Sequence, residues 1–101
     1  MDRLIDTLRQ VVEGYTGEAL NGCSYLTESK DGNAFTVVSV GYIPGKRIVD
    51  ARSLVRLFEG RIIIERDVND KPLVDAQLQA NVTRKQIVLA YAGEPVNEPV
   101  S

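Results

Sequence analysis

The chain has 101 residues, enough for one domain and too few for a second core. Its 44% hydrophobic and 26% charged content is that of an ordinary globular protein, which excludes disorder along the whole length. Twelve basic residues against fourteen acidic ones give a net charge of −2, which argues against sequence-independent nucleic-acid binding as the main task, because that binding rests on a basic surface.

From the N-terminus, residues 2–15 carry Leu4, Ile5, Leu8, Val11, Val12 and Tyr15 at the spacing of an amphipathic helix, with Asp2, Arg3, Asp6, Arg9 and Glu13 off the stripe. The mixed charges of the polar face point to core packing rather than to a membrane surface. Gly14 and Gly17 bracket its end. Residues 23–28 and 34–43 then read as strands around Asp31-Gly32, a hairpin signal. In the second of these strands neither face is clearly polar, which predicts a central strand partly covered on both sides. Pro44-Gly45 makes the next turn. Residues 47–58 form a third strand whose odd positions Val49, Ala51, Ser53, Val55 and Leu57 give one apolar face. Glu59-Gly60 returns the chain into residues 61–65, where three isoleucines suit a buried strand. Asn69 and Asp70 are N-cap candidates for a helix over 73–80, with Pro72 in its first turn and Asn81 at the left-handed stop. Thr83 to Gln86 has capping-box spacing, and residues 87–91 read as a last strand. The expected architecture is α+β: an N-terminal helix, an antiparallel meander of about four strands, a second helix and a short C-terminal strand. Residues 1–92 make the domain, and residues 93–101, with two prolines, make a loose tail.

The chain offers little for catalysis. It has no histidine, the commonest general base and metal ligand, and its one cysteine, Cys23, has neither an imidazole nor a disulfide partner. That ligand set does not suit zinc. Asp67-Val68-Asn69 begins like a calcium loop, but Lys71, Pro72 and Leu78 stand where ligands, glycine and a final glutamate are needed. The stretch from Gly41 to Lys46 has the wrong glycine spacing for a phosphate loop, and Glu28-Ser29-Lys30 lacks the second carboxylate of a metal nuclease. No cofactor is expected. With no apolar run long enough for a bilayer and no signal-peptide pattern, a reducing, cytoplasmic setting is expected.

One charge feature rises above background. Lys46, Arg47, Arg52, Arg56, Arg61 and Arg66 face only Asp50, Glu59 and Glu65 in the same stretch. Arg52 and Arg56 share strand parity and are expected to project together. Such a face keeps a sheet edge soluble, docks an acidic protein partner or contacts DNA. Arg47, Arg52, Arg56, Arg61 and Arg66 are therefore the candidate partner-binding residues.

The stretch from Gly60 onward resembles the XisI family, the fdxN element excision controlling factors. The matching features are Gly60, the strand Arg61-Ile62-Ile63-Ile64, the corner Arg66-Asp67, the helix over 73–80, the stop Asn81-Val82-Thr83-Arg84 and the strand Ile87-Val88-Leu89-Ala90-Tyr91. The opening Met1-Asp2-Arg3-Leu4 is similar too. The family strand usually holds Trp where this chain has Ile63, and often His near Leu54. The resemblance implies a non-catalytic accessory factor in programmed excision of a DNA element in cyanobacteria, acting with a XisH-type companion while a separate recombinase exchanges strands. A homodimer is compatible with apolar residues on both strand faces, and DNA is expected to be met only indirectly or weakly. The alternative is a DNA-binding accessory factor that uses the basic strand pair at 46–66.

Overall fold

The computed structural model describes residues 3–19 and 21–96. Helix α1 (Arg3–Glu13) is followed by a short strand β1 (Gly17–Ala19), then β2 (Gly22–Glu28), β3 (Ala34–Ile43), β4 (Lys46–Phe58) and β5 (Arg61–Asp67). Helix α2 (Leu73–Gln79), a single 3-10 turn, strand β6 (Ile87–Leu89) and a second 3-10 turn complete the fold. The six strands form one sheet in sequence order. All neighbours are antiparallel except β5 and β6, which run parallel, with α2 as their crossover. The expected helix–meander–helix–strand order holds. Two elements differ in extent: β1 is an additional strand, and the last strand stops at Leu89, the chain turning into a 3-10 helix at Ala90–Ala92.

Both helices lie on one face of the sheet. Leu8 and Val12 from α1 and Leu73 from α2 meet Phe35, Val37, Val55, Ile62, Ile64 and Ile87 in the core. The stripe in residues 2–15 is therefore used for packing. Ile63 alternates to the opposite face and is nonetheless buried, beside Phe58, Val88 and Val96.

Local chemistry sets the corners. Ser29 Oγ accepts the amides of Asn33 (3.2 Å) and Ala34 (3.1 Å), and Gly32 takes φ 73°, which closes the first hairpin. Glu59 and Gly60 both have positive φ, the signature of a type I′ hairpin turn. Helix α2 ends in a complete Schellman motif. Asn81 is left-handed at φ 70°, its amide donates to Leu78 O, and the Val82 amide donates to Gln77 O. At the other end the expected caps are displaced. Asn69 Nδ2 donates to Ser53 Oγ (2.8 Å) and Asp67 Oδ1 (2.7 Å), so Asn69 is a donor rather than a cap acceptor. Asp67 Oδ2 instead accepts the Leu73 amide at 2.8 Å, and Pro72 sits just before the helix. The tail is tied at its root. Glu94 accepts the Leu89 amide and Arg84 Nη2, each at 2.8 Å, and these bonds hold its carboxyl below the usual range. Residues 97–101 of the expected loose tail, and Met1 and Asp2 at the other end, lie outside the described residues.

Candidate functional site

The longest strands, β3 and β4, reach past their neighbours. Strand β5 pairs with β4 only from Ser53 to Phe58, so residues 46–51 continue with β3 alone on one side and, among the described residues, no strand on the other. The result is a projecting arm, which gives the molecule extents of 44 × 30 × 25 Å. Beside it in the sheet β2 pairs with β3 very closely: Gly22 faces Gly41, and a Cβ on Gly22 would lie 2.2 Å from Val40 O, so this position has room only for glycine. The arm exposes Tyr42, Ile43, Ile48 and Val49, the last at 61%, and Tyr25 on the neighbouring β2 is exposed as well. Large apolar side chains grouped on one projection are the usual mark of a contact surface.

A β-bulge governs which way the arm faces. Val37 pairs with Ser53 but Val38 pairs with Ala51, so Arg52 is an extra residue on β4. Strand parity reverses there. Ser53 and Val55 point into the core, whereas Val49 and Ala51 pair with Val40 and Val38 on the other face. The single apolar face expected for the odd positions of β4 is thus two half-faces on opposite sides of the sheet.

The same bulge separates Arg52 from Arg56, which do not project together. Arg56 lies opposite Ile63 on the face away from the helices, and its Nη2 is 2.7 Å from Glu65 Oε2. Arg61 is near Phe58 and Val96 on that face. Arg66 donates to Ala51 O and lies 3.4 Å from Asp50 Oδ1. Arg47, far out on the arm, stacks over the Tyr42 ring at 5.8 Å. The five candidate arginines therefore form no single basic surface.

Arg52 turns to the helix-bearing side. There it lines a hollow of about 540 Å³ together with Tyr15, Ser24, Val37, Ser39, Asn69, Asp70 and Lys71. The hydroxyls of Ser24 and Ser39 share a hydrogen bond of 2.8 Å, and Tyr15 OH donates to Lys71 O at 2.9 Å. Burial first, then the carboxylates of Asp67 and Asp75, raise the Tyr15 phenol above its ordinary pKa, so it stays a neutral donor. Ser39 and Arg52 also border a second, more apolar hollow of about 300 Å³ with Gly41, Ile43 and Ile48. Sequence reasoning singled out Arg52 but missed its surroundings, because they come from four separate segments. It also missed the exposed arm, whose one signal was the absence of a polar face in β3.

These features define a small α+β protein with two helices on one face of a six-stranded sheet, an exposed arm and an arginine-lined hollow. The profile of the XisI protein family matches residues 3–99, and the chain belongs to that family. Two solved structures from Anabaena variabilis ATCC 29413 share the fold. A XisI-like protein matches with a TM-score of 0.67 at 16% identity, over 85% of this chain and 81% of the other. The fdxN element excision controlling factor XisI matches with a TM-score of 0.63 at 18% identity, over 86% and 88%. A search of curated proteins gives no match. Among the described residues no helix is long and apolar enough to cross a membrane.

Proposed function

We propose that this protein is a non-catalytic controlling factor in programmed excision of a DNA element, and that it acts by holding a XisH-type companion protein on its arm. Membership of the XisI family supports the role, and the arm supports the mode of action. Along residues 46–50 the outer edge of β4 carries backbone groups with no neighbouring strand among the described residues, next to exposed Tyr42 and Val49. A partner strand can extend the sheet there while its side chains bury those residues. Lys46 and Arg47 at the tip would steer an acidic partner and, in its absence, discourage self-pairing of the edge. Arg66, whose guanidinium reaches Ala51 O and Asp50 at the base of the arm, would serve as its rim, whereas Arg61 lies at the far end of β4 beside Phe58.

Co-expression with a neighbouring XisH-type protein, followed by a mass measurement in solution, tests this reading. A stable complex of defined stoichiometry is expected, weakened about tenfold or more by Val49→Asp. A chain that ignores the companion, as a lone monomer or as a homodimer, would overturn it. Steeply salt-dependent binding to DNA of the excised element, without a companion, would replace it by the direct DNA-binding role.

A further inference from the structure

We propose that the hollow around Arg52 binds a small molecule through a carboxylate or phosphate group paired with the Arg52 guanidinium. Arg52 is partly buried, and among the described residues its guanidinium makes no hydrogen bond or ion pair, although its backbone carbonyl accepts the Val68 amide at 2.8 Å. Withdrawing a guanidinium from water without a partner is unfavourable, and four other arginines of this chain avoid it. Arg9 has Glu28, Arg56 has Glu65, Arg66 has Asp50 and Arg84 has Glu94. Arg52 is also the residue that the bulge inserts. Without that insertion the strand would carry it to the other face, so local backbone irregularity aims this side chain into the hollow.

The surroundings favour an anion. Lys71 borders the same hollow, although its ammonium group donates to Gln79, which lines the adjoining hollow with Tyr15 and Ala76. Nearby carboxylates are committed elsewhere: Asp67 to the Leu73 amide and Asn69, Asp50 to Arg66. Asp70 is the one carboxylate among the lining residues, against two cations. The Ser24–Ser39 pair uses one hydroxyl hydrogen between its members and leaves the other to donate into the hollow. A guanidinium fork and a hydroxyl donor, with a lysine at the border, are suited to carboxylate or phosphate oxygens. The hollow, about 540 Å³ and open to solvent on one side, has room for a small molecule. The apolar hollow beyond Ser39, with Gly41 and Ile48, would receive a hydrocarbon part of the ligand. This site is on the helix-bearing side and does not depend on the arm holding a companion.

Amide NMR titrations of the whole chain with inorganic phosphate and with succinate, at constant ionic strength against sodium chloride, test the proposal. Saturable shifts at Ser39, Arg52, Asn69 and Lys71 are expected. Arg52→Gln should weaken them about tenfold or more while its spectrum remains folded, Arg52→Lys should keep part of the binding, and Arg61→Gln on the other face should change nothing. Tighter binding of phosphate would assign a phosphorylated ligand, and tighter binding of succinate a carboxylate. Shifts no larger than those with chloride, or unaltered in both Arg52→Gln and Lys71→Gln, would overturn the proposal.

Discussion

The two halves of the β3–β4 hairpin are built from similar β-branched residues yet are held by different means. In the half near Phe35 and Val55 both helices close over the sheet, and the side chains are fully buried. In the outer half, Val40 and Val49 face each other across the same ladder, but neither helix covers them, and Val49 is mostly in water. Strand pairing on β2 and β4 therefore holds the arm, whereas burial under the helices holds the body. A surface held by backbone hydrogen bonds and cross-strand pairs can change its side chains at little cost in stability.

The sharpest way to break this contrast is paired truncation. Phe35→Ala should cost about 3–5 kcal/mol in urea unfolding, while Val49→Ala should stay within about 0.5 kcal/mol. Comparable losses at the two positions would show that the arm contributes to the core after all. A smaller effect of the opposite sign is expected at Gln77 in α2. It is fully buried, and neither its side-chain Nε2 nor its Oε1 has a hydrogen-bond partner among the described residues. Gln77→Met, which keeps the volume and removes the polar atoms, should raise stability by about 1–2 kcal/mol. A loss instead would mean that Gln77 holds an internal water. The slightest effect should come from pH at the tail root. Because the Glu94 carboxyl titrates lower when folded than when unfolded, its contribution is complete above the ordinary carboxylate range. It is lost as pH falls through the depressed folded value. Hydrogen exchange at the Leu89 amide should therefore quicken in acid, and Glu94→Gln should flatten that dependence while the Phe35 amide stays protected.

Much of the body was legible because its signals are local. The apolar spacing from Leu4 to Tyr15, Asp31-Gly32, Pro44-Gly45 and Asn81 each state a geometry within a few residues. What escaped was set at a distance. Asp67 caps α2 from six residues before Leu73, and Asn69 is drawn away by Ser53 on another strand. Glu59 accepts a left-handed backbone that its type does not advertise, because the tight return between β4 and β5 demands it. The bulge at Arg52 leaves no compositional trace, so alternation counted through it assigned Arg52 and Arg56 to one face. The hollow was invisible for the same reason: its walls meet only after that strand has changed parity.

That extra residue has one more consequence. Since alternation restarts at Arg52, a deletion there would remove the offset between the two halves of β4. The outer segment, 46–51, would then have to turn over as a block or slide against β3. Val49 and Ala51 would trade places with Ile48 and Asp50 across the sheet, with no side chain substituted. A change of one codon in length, rather than in identity, is thus enough to exchange the arm's two surfaces. Relatives that share this sheet could present different faces to different neighbours by that route.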